Sequence, residues 1–340
     1  MKRVIPLLMV LCLFLGGCAQ IGQPAQKQYT ATFLDLFDTV TTIVGFAETE
    51  EAFREKVQPI HDALLTYHQL FDIYNEYEGI PNLKTVNDQA GVAPVRVDGA
   101  IIDLLTDCKD YYALTEGKVN AAMGSILRLW HDARTDGIND PVNARLPEPD
   151  ALELAAAHMD FDRVTIDPEG STVYIEDPEM SLDVGAIAKG WATQRVAEMT
   201  PKGMLISVGG NVCATGPKDE KGTPWVIGIQ NLDGGDYLHT IYVSGGAVVT
   251  SGDYQRTYSV DGKQYHHIID PGTWMPAAYW RSVTVVCQDS GLADALSTAL
   301  FLLPIESGMA LAERCGAEVL WIGADGEEVM TPGFREMIRT

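Results

Sequence analysis

The sequence contains few basic residues. Lysine and arginine together number 24, against 47 aspartates and glutamates, and the formal net charge at pH 7 is −23. Nucleic-acid surfaces depend on patches of lysine and arginine that neutralise backbone phosphates. We therefore expect no nucleic-acid partner. The negative charge of any polyanion that the chain binds must therefore be neutralised by a metal ion or by a few well-placed lysine or arginine side chains.

The motifs of several common enzyme classes are also missing. The chain has no Walker phosphate loop, no GxGxxG fingerprint, no GxSxG nucleophile elbow and no HExxH zinc motif. Its six cysteines form no CxxC pair and no Cys/His metal pattern, which excludes the usual zinc sites. Any catalytic site must therefore be sought in less familiar patterns.

The apolar run at the N-terminus is too short to span a bilayer stably. Basic residues 2–3 precede apolar residues 4–14, and a Leu-Gly-Gly-Cys-Ala stretch follows. This pattern is typical of a lipoprotein signal that is cut before a cysteine. We predict a signal peptide over residues 1–17, lipidation of Cys18, a tether over residues 18–30 and a domain over residues 31–340, anchored on the extracytoplasmic face of the cell membrane. An ordinary signal peptide or a retained short anchor is the alternative.

Helical patterns dominate the first half of the chain and strand patterns the second. Apolar residues recur at helical spacing over residues 50–74, 98–115 and 291–303, whereas residues 84–97 and 132–149 have the composition of connections. The predicted strands are residues 37–44, 164–166, 172–175, 204–208, 225–229, 238–243, 247–250, 254–260, 265–269, 281–286, 319–322 and 327–330. This order favours an α+β fold over a doubly wound α/β fold.

One stretch, residues 181–191, combines a carboxylate, small residues and a cation at a predicted strand-to-helix corner. Asp183 precedes a turn at Gly185, and the first turn of the following helix carries Lys189. Small residues let a backbone approach a ligand closely, and a helix N-terminus offers free N–H groups to an anion. The stretch predicts a site for a phosphorylated ligand. A tightly packed corner with a solvated lysine has the same pattern.

Residues 293–300 place two oxygen-bearing side chains one helical turn apart. Asp294 and Thr298 face the same way on a helix and offer a carboxylate and a hydroxyl to a hard cation such as Mg²⁺. The alternative is that Asp294 caps a helix or faces solvent, while Thr298 bonds back to its own helix.

Residues 265–272 supply imidazoles and a carboxylate near a predicted strand end. His267 and Asp270 are candidate proton acceptors or metal-shell groups, and a structural role for such a histidine is the alternative. Because His266 and His267 would point to opposite faces of a strand, at most one is expected to serve a site. The glycine-containing stretches 206–212 and 250–256 permit close approach to a ligand, or form an ordinary bulge and turn.

Taken in order, these motifs resemble those of the ApbE family of FAD:protein FMN transferases. The family patterns are D-x-G-x-I-A-K-G-Y-A, N-I-G-G-(D/N), T-S-G-(D/N)-Y, H-I-I-D-P-x-T-G-x-P and A-D-A-L-(A/S)-T-A-L. The matching stretches here are residues 183–192, 207–211, 250–254, 267–276 and 293–300. An early M-G-T-x-x-T motif is similar to residues 37–42. The resemblance covers nearly everything after the tether.

The resemblance implies a T-fold-like α+β architecture of mixed or antiparallel sheets with packed helices. It also implies transfer of FMN from FAD to a threonine hydroxyl of a partner protein, an acceptor subunit of a membrane redox complex, with release of AMP. Mg²⁺ would be held by Asp294, Thr298 and the backbone carbonyl of Ala186. The implied FAD contacts are Phe37, Tyr74, Lys118, Val119, Asn120, Asp183, Lys189, Ile268 and Ile269.

The chain departs from the family pattern at several positions. Phe37 and Asp38 replace Met-Gly, Asn120 stands where aspartate is usual, and Trp191 replaces tyrosine. These departures affect the expected flavin contacts more than the expected metal site.

A threonine hydroxyl is a poor nucleophile at neutral pH, so the implied reaction requires a base. The sequence leaves His267 and Asp270 open as candidates. Two other functions also remain open: a Mg²⁺-dependent FAD pyrophosphatase, in which water attacks, and a non-enzymatic FAD-binding lipoprotein. The pairing of Asp294 with Thr298 disfavours the non-enzymatic alternative.

Overall fold

The computed structural model describes residues 26–254 and 256–340. The predicted signal peptide and Cys18 lie outside the described residues. The first strand begins at Lys27, so residues 27–30 of the predicted tether are paired in a sheet. No helix in the described ranges has both the length and the apolar character needed to cross a membrane.

The helices and strands of the described ranges alternate irregularly along the chain. The helices are α1 (Glu50–Phe71), α2 (Leu83–Asp88), α3 (Gly99–Leu114), α4 (Gly124–Asn139), α5 (Pro149–Ala156), α6 (Ala188–Met199), α7 (Ser290–Phe301), α8 (Ile305–Cys315) and α9 (Pro332–Met337). The strands are β1 (Lys27–Leu36), β2 (Thr39–Ala47), β3 (Val95–Arg96), β4 (Val164–Asp167), β5 (Thr172–Ile175), β6 (Leu205–Val208), β7 (Asn211–Ala214), β8 (Trp225–Ile229), β9 (His239–Val243), β10 (Gly246–Gly252), β11 (Tyr258–Val260), β12 (Lys263–Tyr265), β13 (Trp280–Cys287), β14 (Glu318–Gly323) and β15 (Glu328–Met330).

A large antiparallel sheet forms the centre of the described structure. Its spatial order is β1-β2-β6-β7-β10-β13-β14-β15. Smaller antiparallel sheets have the orders β3-β5-β4, β8-β9 and β11-β12. Antiparallel sheets with helices packed against them confirm the predicted α+β class.

Helix α7 lies in the interior against the central strands β10 and β13. It begins where the side chain of Asp289 accepts a hydrogen bond from the Leu292 N–H, at 2.8 Å. Almost all of its residues are buried, as expected for a mostly apolar helix in the interior of a protein. Because α6 and β7 both pack against α7, Asp294 is buried between these elements.

Several connections are more ordered than the sequence pattern predicts. Residues 84–97, predicted as a loop, contain most of α2 and all of β3. Helix α2 begins with a capping box in which the Asn82 side chain accepts from Thr85 N–H. Helix α4 continues to Asn139, through part of the predicted connection 132–149. Strand β7 was not predicted, and it pairs with β6 through the turn at Gly209 and Gly210, which both have positive φ.

Candidate active site

A cavity of about 280 Å³ lies where α4, α6, α7 and β10 converge. It is lined by residues from widely separated parts of the chain: Asp38, Thr39, Tyr74, Lys118, Val119, Asn120, Met123, Leu127, Trp130, His131, Arg134, Asp183, Gly185, Ala186, Lys189, Gly209, Asn211, Thr250, Ser251, Gly252, Arg256, Tyr258, Tyr265, His266, His267, Ile268, Ile269, Asp294 and Thr298. Of the predicted ligand and metal contacts, Phe37 alone is missing from this lining. The cavity therefore unites nearly the whole predicted site.

Asp294 connects three elements at the floor of the cavity. Its Oδ2 atom accepts hydrogen bonds from the Gly190 N–H and from Asn211 Nδ2, both at 2.8 Å, and lies 3.6 Å from Lys189 Nζ. Gly190 is in the first turn of α6, where N–H groups lack partners within the helix. Asp294, which is 4% exposed, thus caps α6 from a different helix, and the positive end of the helix dipole stabilises its charge. The solvent-facing alternative for Asp294 is wrong.

The contact between α6 and α7 depends on the absence of a side chain at Gly190. A Cβ atom there would lie closer than 3.0 Å to the Ser290 carbonyl oxygen and to Asp294 Cβ. Trp191, the next residue, has its indole N–H bound to Asp107 at 2.7 Å, and its ring meets Phe71 edge to face. Gly190 therefore allows α6 to approach α7 closely, and the contacts of Trp191 fix the rotation of α6 about its own axis.

Each residue implied as a metal ligand has an oxygen atom without a hydrogen-bond partner among the described residues. In the described ranges, no hydrogen bond engages Asp294 Oδ1, the Thr298 hydroxyl or the Ala186 carbonyl. The Ala186 carbonyl precedes α6 and so accepts no bond from Gly190, whose N–H is used by Asp294. One carboxylate, one hydroxyl and one carbonyl form a donor set that suits a hard, oxygen-preferring cation.

Other kinds of metal site are not found among the described residues. No group of three or more His, Cys, Asp or Glu side chains in residues 26–254 and 256–340 could hold an ion. The four cysteines of these ranges, Cys108, Cys213, Cys287 and Cys315, are free thiols. Burial raises the pKa of each thiol, which disfavours the thiolate that metal binding needs.

The predicted anion-binding corner lies at the cavity wall. Asp183 Oδ1 accepts from the Gly185 N–H at 2.8 Å, and the Asp183 N–H donates to the Ala121 carbonyl at 2.8 Å. Burial raises the pKa of the Asp183 carboxyl, although the Gly185 bond and nearby cations oppose the shift. Lys189 Nζ donates to the Gly185 carbonyl at 3.1 Å, so the cation is held at the corner and does not extend into solvent.

Tyr74 forms another part of the wall, and Phe37 lies outside the main cavity. The Tyr74 ring stacks on His131 with centroids 5.2 Å apart and remains 54% exposed, so it can pack against a planar ligand. Burial, and then the charge of Asp183, raise the pKa of Tyr74 to about 12, so its hydroxyl stays protonated at neutral pH. Phe37 borders an adjoining cavity of about 150 Å³, which shares Asp38, Tyr74 and other wall residues with the larger one.

The Lys118–Asn120 segment is tied down by bonds within the protein. Lys118 Nζ forms an ion pair with Asp270 Oδ1 at 2.9 Å. Asn120 donates from Nδ2 to the Met159 carbonyl and accepts from the Ala122 N–H, each at 2.9 Å. The amide group of Asn120 therefore both donates and accepts a hydrogen bond, and these two bonds hold the segment in place.

The two adjacent histidines both line the cavity. They follow β12, which ends at Tyr265, so the expectation that they lie on opposite faces of a strand is wrong. His266 Nε2 bonds the Ala277 carbonyl at 2.8 Å, and its Nδ1 accepts from the Ile268 N–H at 3.2 Å. Burial lowers the pKa of His266, which favours the neutral ring that these two bonds require. His267 also lines the cavity, whereas Asp270 is absent from the lining and accepts from Lys118 and from the Gly272 N–H.

Two further cations of the cavity lining, Arg134 and Arg256, were not predicted from the sequence. Both residues line the cavity, and neither forms an ion pair with a carboxylate in the described ranges. Burial, and then the nearby charge of Arg256, lower the pKa of Arg134. Two guanidinium groups facing one space in a chain of net charge −23 favour a ligand that carries several negative charges.

Comparison with known proteins gives consistent results. The sequence model described as the ApbE family matches residues 37–321, which contain every predicted ligand and metal residue. A curated FAD:protein FMN transferase of Treponema pallidum (strain Nichols) is 34% identical over 277 residues, covering 76% of this chain and 75% of the relative. Another of the same name, from Escherichia coli (strain K12), is 28% identical over 349 residues, covering 97% and 96%.

Solved structures share the fold. The crystal structure of the ApbE protein from Thermotoga maritima MSB8 superimposes with a TM-score of 0.81 at 28% identity, covering 92% of this chain and 100% of that one. The flavin transferase ApbE from Vibrio cholerae gives a TM-score of 0.75 at 24% identity, with coverage of 92% and 100%.

Proposed function

Because this chain belongs to the ApbE family and is a flavin transferase, as its motifs predict, we propose that it transfers FMN from FAD to a threonine hydroxyl of a partner protein in a Mg²⁺-dependent reaction that releases AMP. One observation carries the proposal. A single cavity brings the Ala186 carbonyl, Asp294 Oδ1 and the Thr298 hydroxyl together with the cations Lys189, Arg134 and Arg256.

The proposed reaction is a phosphoryl transfer at the flavin side of the pyrophosphate. The threonine oxygen bonds to the phosphorus of the FMN half, and the bond from that phosphorus to the bridging oxygen breaks. AMP leaves with the bridging oxygen, and the hydroxyl proton passes to a base. When bound, Mg²⁺ would neutralise the pyrophosphate and stabilise the charge that develops on it.

The protein's own groups would bind and orient the substrate. Lys189, held between Gly185 and Asp294, would place a fixed positive charge beside the pyrophosphate. Tyr74 would pack against the isoalloxazine ring, and Arg134 with Arg256 would compensate further negative charge. Since these groups are already positioned, they need little reorganisation when FAD binds.

We propose His267 as the base. It lines the cavity, whereas the carboxylate of Asp270 is committed to an ion pair with Lys118 and a bond from Gly272 N–H. A carboxylate held in this way is better suited to fixing the turn after Ile269 than to accepting a proton.

The decisive experiment uses the purified protein, FAD, Mg²⁺ and a threonine-bearing segment of a membrane redox subunit. Flavin fluorescence that stays with the acceptor on a denaturing gel, together with stoichiometric AMP, supports the transferase. The matched control is the same segment with the threonine changed to alanine. AMP without labelled acceptor would instead indicate the pyrophosphatase, and FAD binding that is unaffected by EDTA and yields no AMP would indicate a binding protein.

We further propose that a lipid on Cys18 anchors the protein to the extracytoplasmic face of the cell membrane, where it meets its acceptor subunit. The support is the N-terminal sequence pattern alone. Cell fractionation tests this proposal. The wild-type protein should sediment with membranes, a Cys18→Ser variant should be lost from them, and equal distribution of the two would contradict the anchor.

A further inference from the structure

The hairpin turn between β1 and β2 has an unfavourable backbone conformation. Leu36 pairs with Thr39, so Phe37 and Asp38 form a two-residue turn, and their φ angles are 52° and 51°. Turns with positive φ at both positions strongly prefer sequences such as Asn-Gly or Asp-Gly. A bulky residue such as phenylalanine is rare in this region, and each residue held there costs about 1–2 kcal/mol.

This turn forms part of the cavity wall. Asp38 and Thr39 line the larger cavity, and Phe37 borders the adjoining one. If the turn relaxed to an ordinary conformation, the wall on this side would move. The protein therefore needs an interaction that holds the turn in place.

His68, on α1, supplies that interaction. The Phe37 N–H donates to His68 Nδ1 at 3.1 Å, and the two rings meet edge to face with centroids 5.7 Å apart. Because a backbone N–H can only donate, Nδ1 must accept, and the neutral ring carries its proton on Nε2. Nε2 lies 3.3 Å from the Tyr77 hydroxyl, which can therefore accept this proton.

The same chain of hydrogen bonds continues to the opposite wall. Tyr77 donates to Asp72 Oδ2 at 2.8 Å, and Asp72 Oδ1 accepts from the Tyr74 N–H at 2.7 Å. Burial, followed by the bond to Asp72, raises the pKa of Tyr77 to about 12, so Tyr77 remains a donor. Burial opposes the ionisation of Asp72, but the hydrogen bonds that it accepts outweigh burial and lower its pKa.

We infer that His68 is a positioning residue for FAD binding: it holds the strained Phe37–Asp38 turn and, through Tyr77 and Asp72, the backbone of Tyr74, so that both walls keep a fixed separation. The claim about FAD rests on the proposed function, whereas the claim about the turn does not. The departure from Met-Gly to Phe37-Asp38 gives this histidine its importance here, since glycine would adopt the turn at little cost.

Three substitutions test separately the two hydrogen bonds of the His68 imidazole. The amide oxygen of His68→Asn can take the place of Nδ1 and accept from Phe37, whereas the longer His68→Gln reaches the Nε2 position and leaves the Phe37 N–H unpaired. His68→Ala removes both bonds. We expect His68→Gln to bind FAD about tenfold more weakly in a fluorescence titration, the effect of losing the bond to the Phe37 N–H, and His68→Ala at least as weakly, because it also loses the bond to Tyr77. His68→Asn, which loses only the 3.3 Å contact with Tyr77, should bind FAD more tightly than these two variants. Equal weakening in all three variants would overturn the inference.

A second background tests the role of turn strain. With Asp38→Gly the turn costs less, so adding His68→Ala should weaken FAD binding much less than it does in the wild-type background. An identical penalty in both backgrounds would contradict the role assigned to His68.

Amide exchange gives a readout that does not depend on FAD. Protection of the Phe37 amide should be lost in the Ala and Gln variants and kept in Asn, and unchanged protection in all of them would refute the inference. If the wild-type protein does not bind FAD, the proposed function fails, and this exchange experiment still decides whether His68 holds the turn.

Discussion

The substitution Gly190→Ala should separate α6 from α7 and disable the proposed metal site. A methyl group at this position would lie closer than 3.0 Å to the Ser290 carbonyl oxygen and to Asp294 Cβ, and 3.1 Å from Asp294 Cγ. Favourable contacts between heavy atoms begin near 3.5 Å, so the helices would have to move apart by about 1 Å. Neither obstacle is the free end of a flexible side chain, so the strain cannot be relieved locally.

The energetic cost has two parts. Overpacking a close contact costs about 1–3 kcal/mol. Weakening the 2.8 Å bond from the Gly190 N–H to a buried carboxylate costs about 1.5–3 kcal/mol more. The sum of roughly 2.5–6 kcal/mol is a large part of the stability of about 5–15 kcal/mol that is typical of folded proteins.

Urea unfolding and Mg²⁺-dependent AMP release measure the two consequences. We expect a clearly lower unfolding midpoint and, at temperatures where the variant remains folded, a raised Mg²⁺ requirement, because Asp294 is displaced. Gly99→Ala is the matched control: Gly99 also lies in the first turn of a helix, and a Cβ there would meet no atom within 4 Å. A Gly190→Ala protein with the unfolding midpoint and Mg²⁺ dependence of the control would refute the reasoning.

Three further outcomes follow from the described contacts. His267→Ala should lower the rate of transfer by about 10²–10⁴-fold, the usual worth of a general base, while Asp270→Asn should have a smaller effect on rate, as single-turnover assays would show. Replacing Arg134 or Arg256 by glutamine should weaken FAD binding about tenfold or more, and the loss should shrink at high salt, where binding titrations would find it screened. The buried carboxylate of Asp177 lies 2.9 Å from His158 Nδ1 and forms an ion pair with Arg163. Burial opposes the ionisation of Asp177, but its hydrogen bonds and neighbouring cations outweigh burial and lower its pKa. The carboxylate therefore stabilises the fold above its unfolded pKa, and this contribution is lost as pH falls through the folded value. Asp177→Asn should therefore be less stable than wild type at neutral pH, and urea unfolding should show the difference shrinking in acid.

The parts of the fold that follow local patterns could be predicted. Alternating β-branched residues identified most strands of the second half, and the capped apolar helix α7 was expected almost at its observed bounds. The second half of helix α4 was predicted to be part of a connection because it is polar. The contact that supports it, Gly137 against the ring of Tyr258, joins residues more than a hundred positions apart. Such a contact leaves no trace in a local window of sequence.

In the candidate active site, too, local patterns could be predicted from the sequence and long-range contacts could not. Helical spacing was enough to place Asp294 and Thr298 on one face. It could not reveal that the donors to Asp294 are Gly190 and Asn211, which lie 104 and 83 positions away. The arginine of α4 that faces the cavity resembles any exposed helical cation in sequence, and only the packing of α4 shows its direction.

The position of β1 limits where the proposed reaction can occur. The strand begins at Lys27, nine positions after Cys18. Nine extended residues span at most about 30 Å. The ten residues of β1 add about 33 Å more before the turn at Phe37 that borders the cavities. If Cys18 is anchored in the bilayer as proposed, the cavity can therefore lie at any height from the membrane surface to about 60 Å above it, and an acceptor threonine that projects farther would be out of reach.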